Sequence, residues 1–245
     1  MVSCQGGGYA EGVDSSFQRA RQPEQKEERR AHLLSTAREM LDESGDVQGL
    51  GLNELARRAG MAKSNVYRYF ETREALLMEL LWDEWAAWYA DMTATVRKPA
   101  KGGDALISLV RHLARTLAAR PRLCALTAAL PSVLEQNLSE EAIRDFKLRS
   151  LDFLREGATF LASRVPVLSV DAWARLVHDS MAVIAGLHPF AHPAASAARA
   201  LSDPALRFYR RDFAVDLERF LLALAEAERA ASPQRIVSGS GTRSK

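Results

Sequence analysis

Residues 59–77 read "AGMAKSNVYRYFETREALL", and the spacing of groups in this stretch decides the fold. Leu52, Leu55 and Ala56 predict a short helix from Leu52 to Ala59, and Gly60-Met61-Ala62 supplies the turn that ends it. A second helix is expected from about Lys63 to Phe70. Val66 and Phe70 are four residues apart, so they share one face and anchor that helix inward. Lys63, Ser64, Asn65, Tyr67, Arg68 and Tyr69 are left to reach outward, and each can donate a hydrogen bond. Two short helices joined by a glycine-containing turn, the second polar on its outer face, form a helix-turn-helix. In that arrangement the second helix enters the major groove of DNA, where it meets phosphates and base edges together. Arg57, Arg58, Lys63, Arg68 and Arg73 against Glu71 give residues 57–73 a net charge of +4, although the whole chain carries only +2. The basic signal is local. Phosphate attraction would supply affinity, and a side chain such as Asn65 would supply sequence preference.

Upstream, Leu33, Leu34, Ala37, Met40 and Leu41 recur at spacings of three and four, predicting a first helix that stops at Ser44-Gly45. Glycine there provides a left-handed cap. Downstream, Thr72 is expected to cap a long helix, with Glu74 in its first turn near the positive end of the dipole. Its stripe is Leu76, Leu77, Leu80, Leu81, Trp85, Trp88, Tyr89 and Met92, and it ends before Pro99. Five further helices are marked by punctuation. The first spans about 104–119 and the second starts at Pro121. The third is capped by Ser139 and closed off by Pro166, and the fourth, capped by Ser169, stops before His188-Pro189. The last opens at Asp203-Pro204 with the stripe Leu206, Tyr209, Phe213, Leu217, Phe220, Leu221 and Leu224. No alternating apolar strands are present. The fold class is therefore all-α. Residues 1–22 form an arm expected to be disordered, 23–72 a helix-turn-helix domain, 73–230 a larger helical domain, and 231–245 a disordered tail.

Apolar residues make up 47% of the 245 and charged residues 26%, as in soluble globular proteins. Cys4 and Cys124 give neither a disulfide framework nor a metal-ligand pair, which fits a reducing, cytoplasmic setting. The longest apolar run, from Leu123, is interrupted by Thr127 and Pro131 and falls short of the roughly 20 residues of a membrane span. The N-terminus "MVSCQGGGYAEG" lacks the cationic start and apolar core of a signal peptide. Gly6–Gly8 lack the strand and Lys-Ser/Thr context of a phosphate loop. No nucleophile elbow, metal motif or paired-carboxylate constellation stands out, so no catalysis, metal or cofactor is expected. His188 and His192 are four apart, but Pro189 and Pro193 are expected to prevent the continuous helix that would align them.

The segment "LNELARRAGMAKSNVYRYFETREALL", residues 52–77, resembles the signature of TetR-family transcriptional regulators. The resemblance spans about residues 28–80 and weakens to general helical architecture beyond. It implies a homodimer that grips two half-sites of a double-stranded operator and is commonly released by a small effector held in the C-terminal domain. By that resemblance Lys63 to Tyr67 face bases and phosphates, Tyr67 and Tyr69 contact phosphate, and Arg73 is the basic contact at the start of the long helix. Gly51 and Ala62 stand where threonine and serine often cap, so both helices lose a side-chain cap.

The C-terminal domain, rich in Ala and Leu with scattered aromatics, favours an apolar or aromatic effector. Candidate effector contacts are Trp82, His112, Phe146, Phe153, Trp173 and His178. Trp85 and Trp88, three apart, are read as core packing. Two amphipathic helices, Asp171 to Leu187 and Pro204 to Glu226, are expected to pair with their symmetry mates. Trp173, Val177, Phe213, Phe220 and Leu224 are the candidate contacts. The competing reading is an all-helical enzyme or lipid-binding protein with an incidental helix-turn-helix, and an activator would look the same as a repressor.

Overall fold

The computed structural model describes residues 15–96 and 105–231. Every regular element among them is helical. The N-terminal unit is α1 (Ser15–Ser44), α2 (Leu52–Arg58) and α3 (Lys63–Tyr67). Helix α1 begins inside the segment expected to be a disordered arm. Gln18, Arg19, Ala20 and Arg21 are good helix formers, but the helix also runs through Pro23, which forfeits one backbone bond at a cost of about 3 kcal/mol. The rest of the arm, and all but the first residue of the expected tail, lie outside the described residues. Gly45 takes φ +65° and Gly60 φ +64°, the left-handed conformation that ends α1 and turns the chain after α2. Leu33, Ala37, Leu55, Val66 and Phe70 are at most 3% exposed and form one core with Leu76 and Leu77.

Helix α4 (Arg73–Thr95) leaves this unit and runs 23 residues, about 34 Å at 1.5 Å per residue. Thr72 caps it, accepting from Ala75 N at 3.0 Å. The C-terminal unit comprises α5 (Ala105–Ala118), α6 (Pro121–Ala129), α7 (Glu140–Arg164), α8 (Val170–Ala191), α9 (Ala195–Ala200) and α10 (Phe213–Ala231). One π turn, Leu130–Leu134, and one 3₁₀ turn, Glu135–Asn137, join α6 to α7. Ser139 and Ser169 cap α7 and α8 by accepting from Ala142 N and Ala172 N. Helix α8 packs against α6, α7 and α10, and α5 against α10.

Two expectations are corrected. Helix α8 continues through Pro189 to Ala191. Proline forfeits one backbone bond, but it sits in the last turn, and His192 N still reaches His188 O at 2.9 Å. The last helix is split. Pro204–Tyr209 is a 3₁₀ turn, and α10 starts only at Phe213. Arg210 causes the break: its guanidinium folds back onto the carbonyls of Leu201, Ser202 and Asp203 at 2.6–3.1 Å. Asp212 then restarts the helix by accepting from Val215 N at 3.1 Å. Tyr209 therefore leaves the apolar stripe and lies 63% exposed, beside Phe208 at 79%.

Candidate nucleic-acid interface and effector cavity

Helix α3 is pinned by Val66 and Phe70, each burial contributing about 1.5–3 kcal/mol. With those two inward, Lys63, Ser64, Asn65, Tyr67 and Arg68 are exposed and Tyr69 is half-buried. Gly51 and Ala62 precede α2 and α3 with no side-chain cap bond. The turn is held instead by a backbone bond, Met61 N to Ala56 O at 2.9 Å, and by the His32 side chain, whose Nε2 lies 3.2 Å from Ala59 O. Lys63 Nζ stands 5.8 Å from the Tyr67 ring centroid, one helical turn away.

Not all of the local positive charge faces solvent freely. Arg57 and Arg58 both bond Glu54, and Arg58 also bonds Glu43. The hydrogen bonds from Arg57 first, and from Arg58 second, hold the Glu54 carboxyl down at about 2. Arg73 departs from the expected role. Its Nη1 donates to Gln48 O at 2.6 Å, while Nε and Nη2 bond the buried Glu74 at 3.1 and 2.7 Å. It fastens the α1–α2 loop to the start of α4. Burial pushes the Glu74 carboxyl up, but Arg73 and the bonds from its own backbone and Asn137 leave it lower than usual. Lys63 and Arg68 remain without an acidic partner among the described residues.

The effector candidates separate in space. A cavity of about 110 Å³ lies between α4, α7 and α8, lined by Trp85, Trp88, Tyr89, Met92, Ser150, Phe153, Leu154, Gly157, Leu161, Val177, His178 and Met181. Of the six candidates, Phe153 and His178 are on its wall. Trp82 and Phe146 stand behind it, Trp82 against Phe153 at 5.3 Å and Phe146 against Trp85 at 5.8 Å between ring centroids. His112 is elsewhere, 3.1 Å from Thr95 Oγ1 beside a separate hollow lined in part by Arg164. Trp173 is fully buried, its indole N–H donating to Val165 O at 3.1 Å, and meets neither the cavity nor a surface. Val177, placed at a dimer contact by sequence, lines the cavity. Trp85, Trp88, Tyr89 and Met181 were missed as lining residues. The available signal was Gly157, a helix-weakening residue in mid-helix opposite an aromatic stripe.

On the opposite side of α8, a groove of about 330 Å³ is lined by Ala182, Val183, Gly186, Leu187, Phe190, Arg211 and Phe220. Phe190, Val215 and Phe220 are 71%, 64% and 40% exposed, while Phe213 and Leu224 are half-buried. At the end of α8, His188 and His192 stack at 4.3 Å, both against Phe213 at 5.5 Å. Their nearness is thus aromatic, and no cluster of three or more metal-ligating side chains occurs among the described residues. No described helix is long and apolar enough to cross a membrane.

Comparison with known families decides the identity. Residues 33–80 match the family model "Bacterial regulatory proteins, tetR family", and residues 82–226 match "Tetracyclin repressor-like, C-terminal domain". The chain belongs to the TetR family. No curated protein matches it. Among solved structures it is similar to a TetR-family transcriptional regulator from Mesorhizobium loti, at 17% identity and a TM-score of 0.50 over 84% of this chain and 97% of that one. It is also similar to the fatty acid degradation regulator FadR of Bacillus halodurans, at 16% identity and a TM-score of 0.48 over 80% and 94%. The FadR of Bacillus subtilis, solved with stearoyl-CoA, gives 16% and 0.48 over 80% and 96%. At these identities the likeness speaks to the TetR fold alone. The family models, with the helix-turn-helix geometry, make this TetR protein a DNA-binding transcriptional regulator.

Proposed function

We propose that the protein is a homodimeric repressor that binds a two-half-site operator through α3 and is released when an apolar or aromatic effector enters the α4–α7–α8 cavity. The observation that carries this is the exposed row Lys63, Ser64, Asn65, Tyr67 and Arg68 on a helix pinned by Val66 and Phe70. Lys63, Arg68, Tyr67 and Tyr69 serve phosphates, and Asn65 reads a base edge. The groove beside Phe190 and Phe220, extended by Phe213 and Leu224, is the surface offered to the second copy. Large apolar groups exposed together mark an association site.

Switching follows from α4, whose first turn abuts the DNA-binding unit and whose later turns carry Trp85, Tyr89 and Met92 into the cavity. An effector that packs there tilts α4 and changes the separation of the two recognition helices. Half-sites lie roughly 34–36 Å apart, so a shift of a few ångströms misaligns one of them. The effector acts only through its unequal affinity for the two arrangements, and DNA must weaken it by the same factor. The test is an anisotropy titration of the full-length chain on duplex DNA across salt. Salt-dependent binding that prefers one sequence supports the reading. An enzyme or lipid-binding protein with an incidental motif gives none.

A further inference from the structure

We propose that residues 192–212 form an arm that reaches across the dimer and places Phe208 and Tyr209 in the α8–α10 groove of a second copy, an assignment that rests on the homodimer of the reading above. Between α8 and α10 the chain makes the six-residue helix α9 and one 3₁₀ turn, and no side chain from His192 to Asp212 is buried. A helix that short is marginal alone and draws its stability from packing. This stretch buries nothing within its own chain, yet its shape is fixed. Arg210 bonds the carbonyls of Leu201, Ser202 and Asp203, and Asp203 caps the 3₁₀ turn by accepting from Ala205 N at 2.9 Å. Held this way, Phe208 and Tyr209 stand edge to face at 5.7 Å between ring centroids, 79% and 63% exposed. Rings fixed in place before contact lower the ordering cost of association.

The exposed pair has a match on the same molecule. The groove holds about 330 Å³. A cavity of about 150 Å³ takes up benzene, so the groove has room for roughly two rings. A Cβ added at Gly186, in its wall, would meet nothing within 4 Å, and Arg211 lines it with a cation that an aromatic face attracts. Neither Phe208 nor Tyr209 lines the groove of its own chain. A knob and a hole on one molecule join copies, and reciprocal exchange about a two-fold axis closes the assembly at two. The arm is continuous with the dimer face at both ends: Phe190 precedes it, and Arg211 and Phe220 follow. Area points the same way. Phe190 and Phe220 are 71% and 40% exposed, so the arm's pair offers more aromatic surface than they do. At about 150–250 Å² per aromatic residue the four together offer roughly 400–600 Å² per copy, against about 800 Å² per partner in a stable interface. Without the arm the face offers less than half of that aromatic surface.

The experiment uses the full-length protein as wild type, as the arm variant Phe208→Ser/Tyr209→Ser, and as the groove variant Gly186→Leu, followed by fluorescence-detected sedimentation. All three positions are exposed, so both variants should melt close to wild type. The wild type should dimerise, and each variant should raise the dimer dissociation constant by about a hundredfold or more, because buried aromatic anchors dominate interface energy. Mixing the two variants is decisive. The labelled groove variant keeps its arm and the unlabelled arm variant keeps its groove, so a mixed dimer regains one contact of the two. It should form about tenfold or more tightly than either variant with itself. No gain on mixing means that the arm packs on its own chain or nowhere, and overturns the proposal. An arm variant that dimerises like wild type also overturns it, leaving the pair to some other partner while the homodimer reading stands. A monomeric wild type removes the homodimer reading and this proposal together.

Discussion

Arg122 Nη1 donates to both carboxylate oxygens of Asp42 at 2.7 Å, fastening the first turn of α6 to the end of α1. The same guanidinium bonds Glu84 of α4 at 2.7–2.8 Å, and the Glu84 side chain is only 8% exposed. Arg30–Glu79 and Arg38–Asp83 add two further ties between α1 and α4. The DNA-binding unit is therefore clamped to the helix that would carry the effector signal. Arg122→Ala leaves the buried Glu84 with only Arg120, 4.0 Å away, and should cost about 2–3 kcal/mol, at or below the usual range for a broken buried pair because Arg120 remains and Arg122 is partly exposed. Asp42→Asn, at an exposed carboxylate, should cost under about 1 kcal/mol. Urea unfolding of the two variants gives the comparison, and equal losses would deny Glu84 its dependence on Arg122.

The interface residues divide by what they touch. Lys63→Ala and Arg68→Ala should each weaken binding to all duplexes and lower the salt slope by about one unit. Asn65→Ala should cost about 1–3 kcal/mol on the preferred site and little on random DNA. Arg73→Ala should instead lower thermal stability, since it frees Gln48 O and the buried Glu74. If Arg73→Ala melts like the parent and only shifts the salt slope, its internal bonds contribute nothing.

The helix-turn-helix was legible because its determinants are local. Val66 and Phe70 define one face, Gly60 permits the turn, and Thr72, Ser139 and Ser169 each cap within three residues. What escaped depends on distant partners. Arg73 finds a carbonyl 25 residues away, and Arg210 breaks the last helix by returning to carbonyls seven to nine residues behind it. Trp88 is core as its spacing predicts, yet Trp85 and Trp88 also border the cavity while Trp82 stands behind it. Spacing cannot say whether Trp82 or Trp85 meets α7 with empty space between, which is set by the rotation of both helices and by Gly157.

Acid should weaken the fold through His188. Burial first, and the neighbouring His192 second, hold its pKa at about 4 against the ordinary 6.5. The unfolded chain then binds the proton more readily, so stability present above about pH 6.5 is lost as pH falls toward 4. Melting temperatures of wild type and His188→Gln between pH 7 and 4.5 give the test. The variant should show the shallower decline, and parallel curves would remove His188 as a contributor.

Thr127 Oγ1 is buried with no hydrogen-bond partner among the described residues. Thr127→Val keeps the shape and removes the orphan hydroxyl, so it should raise stability by about 1 kcal/mol in chemical denaturation. A loss of similar size would show that the hydroxyl is satisfied in solution.

The second copy should be held through the Phe190–Phe220 face. Phe220→Asp should give folded monomers in sedimentation that bind a half-site poorly, because charge placed in an apolar contact is desolvated without a partner. A dimer unchanged by Phe220→Asp would place the contact elsewhere.

The most direct measurement is selection of duplexes from a random pool by the full-length protein, followed by sequencing of the bound fraction. The expected result is a palindromic motif with two half-sites, sharpened at one or two positions that Asn65→Ala flattens. A bound fraction no different from the input pool would contradict operator recognition by α3.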